Sequence, residues 1–285
     1  MAAFGGIPPF LMSASCGAPL DDFEVKSDTA KIIVETGEVG SDCGTNAQVF
    51  IEIYGEDSSS GEVRLGEPDG GYFQPGTISE FGLKIETEFG KPYKIRVRHD
   101  NSGKNADWYL EKVTLVRDTC QVVFPCESWV SNKKGDKIII KEFPAGDSGL
   151  EVLEYEVTVK TGKEKKSDTG ADVWIVVYGE RGDTGKRWLS KNVYKGSRLV
   201  LFKKGKSDAF KMKAVDLGPI QKVFIGHTGS KSGDDWYVEH VIVKLPNGDQ
   251  YYHPLSQWLS QETKLKRVIQ CAGMREGEDE DDDSD

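Results

Sequence analysis

Apolar residues recur at every second position along short runs of this chain, the spacing that lines one face of a β-strand. In "VFIEIYG" Val49, Ile51 and Ile53 share a face, and in "VWIVVYG" Val173, Ile175 and Val177 do the same. "YKIRVRH" alternates Ile95, Val97 and His99 with Arg96 and Arg98. Turn-forming clusters such as "EDSSSG", "EPDGG" and "ERGDTG" separate these runs, and no stretch of a dozen residues keeps a helical period. Short alternating strands with frequent turns predict an all-β chain, and two inner faces suit a sandwich better than a barrel.

The pattern is written twice. His99 to Val113 aligns with His227 to Val241 with seven of fifteen residues identical, including Asp107-Trp108-Tyr109 against Asp235-Trp236-Tyr237. "VFIEIYGE" (49–56) matches "VWIVVYGE" (173–180) at five of eight positions, and "FQPGTISEF" (73–81) shares Phe, Gly and Phe with "FKKGKSDAF" (202–210). Pro125 and Trp129 recur as Pro254 and Trp258. A unit of roughly 125 residues is therefore duplicated in tandem. The expected organisation is a disordered leader over 1–24, a first repeat over 25–145, a linker over 146–150, a second repeat over 151–271 and a disordered acidic tail over 272–285. The linker segment "EFPAGDSGLEVLEY" is short and carries Pro and Gly, so restricted motion between the repeats is expected.

Charge changes the picture only at the end of the chain. Of the net charge of −10, eight acids lie in the last ten residues, "EGEDEDDDSD", so the repeats are nearly neutral. Five Cys with no CxxC pair point to reduced thiols and an intracellular site, cytoplasmic or peripheral at the plasma membrane. The apolar opening lacks a basic n-region and contains two prolines, which argues against a signal peptide.

The run Gly-Thr-x-Ala-x-Val-Phe-Ile-x-Ile-Tyr-Gly-Glu (44–56), the Phe-x-x-Gly-x-x-x-x-Phe block and the Asp-Trp-Tyr-x-Glu-x-Val block resemble the signature of the PLAT, or lipoxygenase-homology, domain. The resemblance implies two tandem eight-stranded antiparallel β-sandwiches, each of two four-stranded sheets. It also implies a role in docking to membrane lipid or to protein partners, often with calcium, and adds membrane projections such as stereocilia as a location. Calcium ligands in the family come from three loops at one end of the sandwich. Carried over, these are Asp42 and Gly44, Asp69 and Gly70, and Asp107 in the first repeat. In the second they are Asp168, Asp172, Asp234 and Asp235, with Lys and Arg in the middle loop where acids are expected. Turn formation is the competing explanation for these Asp and Gly residues.

Catalytic patterns are missing from the sequence. The four histidines form no HxxxH pair, and neither a G-x-S-x-G elbow nor a phosphate loop is present. His99 and His227 end strands on the inward phase and are expected to bond loop backbone. Trp108, Trp236, Trp129 and Trp258 are expected in the cores. Trp188, in "GKRWLSKN" with Arg187 and Lys191, has two readings: a buried strand residue, or a membrane contact in which an aromatic inserts among cations. The expectation is a non-enzymatic module that docks to membrane lipid or protein, with no nucleic acid and no small-molecule substrate. A structural spacer is the alternative.

Overall fold

The computed structural model describes residues 27–67, 70–86, 89–189, 201–229 and 233–275. The leader over 1–24 and residues 276–285 of the acidic tail lie outside the described residues. The first unit holds β1 (Ser27–Thr36), β2 (Val49–Gly55), β3 (Val63–Leu65), β4 (Ile78–Glu86), β5 (Pro92–His99), β6 (Trp108–Arg117), β7 (Cys120–Val130) and β8 (Ile140–Pro144). The second holds β9 (Val152–Thr161), β10 (Val173–Gly179), β11 (Gly182–Asp183), β12 (Arg187–Trp188), β13 (Ser207–Val215), β14 (Ile220–His227), β15 (Trp236–Lys244), β16 (Gln250–Leu259), β17 (Lys266–Gln270) and β18 (Gly273–Arg275). No helix among the described residues is long and apolar enough to cross a membrane.

Each unit is a sandwich of two antiparallel sheets. The first pairs β4-β1-β6-β7 with β3-β2-β5-β8, and the second pairs β13-β9-β15-β16-β18 with β11-β10-β14-β17, β12 adding to β10. The second sandwich thus departs from eight strands. Two short strands, β11 and β12, take the place of β3, and β18 pairs with β16. The pairing of β18 corrects the expected disorder at its residues 273–275, because the backbone of Gln250 to Tyr252 offers them a ladder.

The alternation read from the sequence is the packing. Val49, Ile51, Ile53, Ile95 and Val97 face Ile32, Leu83, Leu110 and Leu115 in one dry core. Val173, Ile175, Val177, Val223 and Ile225 face Val157, Val159, Val241 and Val243 in the other. Burying each such side chain contributes about 1.5–3 kcal/mol before the entropy of ordering is counted. The duplication extends to irregularities: the register shifts at Leu110/Lys112 in β6 and at Val238/His240 in β15, equivalent positions of the two units.

Trp108 and Trp236 are fully buried, as expected. Each indole Nε1 donates to a buried threonine Oγ1 at 3.0 Å, Thr36 in the first sandwich and Thr161 in the second. A buried donor left without a partner costs about 1–3 kcal/mol. Thr36→Val and Thr161→Val should each lower stability by that amount, while Thr36→Ser should lose less; chemical denaturation of the full chain reads the difference. Trp129 and Trp258 are only half-buried, each edge-on to Tyr109 or Tyr237 at 5.4 Å between ring centroids, because they sit at sheet margins instead of in the cores.

Candidate binding surfaces

Backbone hydrogen bonds sew together the loops at one end of each sandwich. In the first, Thr45 N donates to the Phe73 carbonyl at 3.0 Å, Asn46 N to Asn105 at 2.8 Å and Tyr109 N to Cys43 at 2.8 Å. In the second, Thr169 N reaches Phe202 at 3.3 Å and Tyr237 N reaches Ser167 at 3.1 Å. Gly44 is required by this convergence, since a Cβ there would stand 2.6 Å from Pro75 and 2.7 Å from the Phe73 carbonyl. His99 and His227 hold the same rims. Their Nε2 atoms donate to the Val130 and Leu259 carbonyls at 2.9 and 3.0 Å, and their Nδ1 atoms accept from Asn101 N and Gly229 N. Burial lowers both pKa values, so the rings stay neutral and structural.

The loops meet, but their carboxylates do not assemble a metal site among the described residues. Asp107 accepts from Ser131 Oγ. The carbonyl of exposed Asp42 accepts from Lys134 Nζ at 3.0 Å, and that ammonium also lies 4.1 Å over the Trp129 ring. Gly70 N bonds the Glu67 carbonyl at 3.2 Å, a turn contact; Asp69 lies outside the described residues. Calcium takes six to eight oxygens, part of which backbone carbonyls can supply. In the second sandwich the fit is worse: Lys203, from the middle loop, pairs with Asp168 at 2.9 Å, so an ammonium occupies the place of a cation. There Asp172 and Asp235 are exposed and Asp234 is half-buried. Turn formation stays the competing explanation for the Asp and Gly residues.

Trp188 is 47% exposed, so it is not the buried strand residue of the first reading. It pairs in register with Trp174 on β10, and the Lys186 ammonium sits 4.2 Å over its ring. Arg187 must be corrected. Alternation sends it to the opposite side of β12, where it is buried and pairs with Glu142 of the first sandwich at 3.1 Å. It cannot touch a membrane, and burial pulls its pKa below the ordinary guanidinium value, with Glu142 opposing. Lys191 lies outside the described residues.

Arg187 leads to a joint that the sequence reading missed. The Glu142 carboxylate, fully buried, accepts from Lys94 Nζ at 3.0 Å, Arg187 Nη2 at 3.1 Å and Val215 N at 3.0 Å. Lys94 belongs to the first sandwich; the other two donors belong to the second. Lys94, also fully buried, donates to the Asp183 carbonyl at 2.7 Å. Arg96 binds Glu52, the Tyr54 hydroxyl and, at 3.2 Å, Asp183. Gly185 makes this approach possible: its φ is +59°, and a Cβ would lie 1.9 Å from the Arg96 guanidinium. The outer face of β2-β5-β8 is therefore the seat of the β11–β12 hairpin. A signal for part of it existed, since Glu52 is an acid where the aligned second repeat has Val176.

Family comparison agrees with this architecture. The PLAT/LH2 domain model matches residues 31–141 and again residues 155–270. Lipoxygenase homology domain-containing protein 1 of Mus musculus is 31% identical over 266 residues, covering 79% of this chain and 12% of its own length. Human polycystin-1 is 40% identical over 89 residues, 31% of this chain and 2% of that protein. The chain thus spans a small part of the relatives it matches. Among solved structures, coral 8R-lipoxygenase, described as activated by calcium through a C2-like domain, superposes on 43% of this chain and 17% of its own with a TM-score of 0.37 and 23% identity. The duplicated sandwich, its sequence signature and the paired family match together mean that this chain belongs to the PLAT/LH2 family.

Proposed function

We propose that the chain is a non-enzymatic docking module: two sandwiches held as one body that present their outer surfaces to a membrane or a protein partner. The observation that carries this reading is Trp188, a large aromatic left 47% exposed beside a lysine, where Trp108, Trp174 and Trp236 are buried. An apolar ring costs free energy in water and gains it on transfer into an interface, and a neighbouring cation adds attraction to anionic headgroups. The buried joint supports a second reading, a spacer that only sets distance, since it makes the two sandwiches rigid whether or not anything docks.

Sedimentation of the full chain with phosphatidylserine–phosphatidylcholine vesicles, with EDTA or calcium, separates the two. Docking predicts pelleting that falls several-fold in Trp188→Ala. A chain that stays in the supernatant under every condition and retains no protein partner in crosslinking favours the spacer.

A further inference from the structure

The two sandwiches carry equivalent outer sheet faces and use them differently. Lys94 pairs with Tyr54 as Lys222 pairs with Tyr178, and Arg96 stands beside Glu142 as Phe224 stands beside Val268. The face of the first sandwich holds its neighbour through carboxylates, Glu52 and Glu142. At those positions the second sandwich has Val176 and Val268, and the place of Arg96 is taken by Phe224. Strands β10, β12, β14 and β17 contain no Asp or Glu. Among the described residues, carboxylates stand at the ends of the face: exposed Asp172 ahead of β10, exposed Glu180 just after it, and Asp183, which Arg96 holds at 3.2 Å.

What remains is an aromatic sheet under lysines. Trp174 and Phe224 meet edge-on at 4.9 Å between ring centroids. Trp188 is 47% and Val268 52% exposed. The Lys186 ammonium lies over Trp174 and Trp188 at 4.8 and 4.2 Å, Lys222 over Tyr178 at 5.1 Å and Lys266 over Phe224 at 5.7 Å. Lysine stems lie along apolar surface while their heads stay in water, so the same side chains can lift to meet headgroups as the rings below are buried. A third sandwich of the kind already seated on the first would bring a buried arginine to this face and find no carboxylate. An anionic surface finds three ammoniums that lie over aromatic rings and pair with no acid among the described residues, and no competing acid within the strands. The patch is local, because the chain as a whole carries −10.

The geometry points to the outer face of β10, β12, β14 and β17 as the seat of an anionic lipid bilayer, docked without calcium. This rests on the docking-module reading and names its surface and partner. The lysines supply Coulomb attraction and Trp188, Phe224 and Val268 the apolar contact, so binding should fall as salt rises.

The test is co-sedimentation of the full chain in EDTA with vesicles of equal parts phosphatidylserine and phosphatidylcholine, and with phosphatidylcholine alone. The expected result is pelleting on the anionic vesicles only. The triple variant Lys186→Glu, Lys222→Glu, Lys266→Glu should reduce it by at least about tenfold, from three headgroup-level cations. A control triple on the first sandwich, Lys31→Glu, Lys84→Glu, Lys112→Glu, should match wild type. If the face triple fails to fold, Lys266→Glu alone, at an exposed position, should still weaken binding about fivefold. Equal loss in both triples, or undiminished pelleting of the face triple, overturns the assigned surface while leaving the docking reading in place. Binding that requires calcium overturns it as well. Wild type that pellets on no vesicle overturns both the surface and the membrane form of the docking reading.

Discussion

Glu142→Ala is expected to cost the chain about 3–5 kcal/mol, a large fraction of the stability of any domain. Among the described residues, this carboxylate alone touches Lys94 and Arg187 at hydrogen-bond distance in the joint, and both cations are buried with it. Removing it leaves two buried positive charges with only the Asp183 and Ile140 carbonyls beside them, and takes the side-chain acceptor from the Val215 amide. The cost is therefore that of uncompensated burial and exceeds the modest net value of the pairs themselves. Charges buried at a net cost carry a second, sharper expectation. Replacing Glu142, Lys94 and Arg187 together by Leu, Met and Met should recover most of the loss, since a buried triad exchanged for apolar side chains of similar volume is often neutral or better. Equilibrium urea unfolding of the three chains measures both effects. A Glu142→Ala chain within 1 kcal/mol of wild type, at the margin of a surface substitution, would show that water enters the joint.

Acidification is expected to remove about 3 kcal/mol through His253 alone, taking 1.36 kcal/mol per pKa unit. This ring is fully buried in the second sandwich, and burial pulls its pKa from 6.5 to about 4. The native state therefore holds the neutral ring while the unfolded chain takes up a proton near pH 6.5. The unfolded state binds more protons between these values, so stability is fully present above pH 6.5, falls as pH drops and levels off below about 4. His99, His227 and His240 are shifted in the same direction, each chiefly by burial, and add to the slope. Unfolding free energy measured from pH 7 down to about pH 5 stays above the ordinary carboxylate range, so the histidines dominate there. His253→Phe should flatten part of that slope. A stability that holds level or rises on acidification contradicts the assignment.

Much of the fold was legible because it rests on one local rule repeated many times. Val49, Ile51 and Ile53 alternate with polar neighbours, and alternation dictates which side of a sheet a residue occupies. The duplication was legible for the same reason, since core and turn positions recur together. Arg187 shows the limit. Beside Trp188 it read as part of a cationic aromatic patch, but two consecutive strand residues point to opposite faces. The partner of Arg187 is Glu142, 45 residues away in the other sandwich. Pairings at that separation leave no periodic trace. The loop carboxylates show a second limit: family positions predicted where Asp42, Asp107 and Asp168 lie, but not that Ser131, Lys134 and Lys203 would bond those same segments.

The claim on which the rest depends is that Glu142 and its cations make one body of the two sandwiches. Residual dipolar couplings of the backbone amides in the intact chain test it directly. A single alignment tensor should fit both sandwiches in wild type, and separate tensors should be needed in Glu142→Ala. Two different tensors in the wild-type chain, one for each sandwich, would contradict the account.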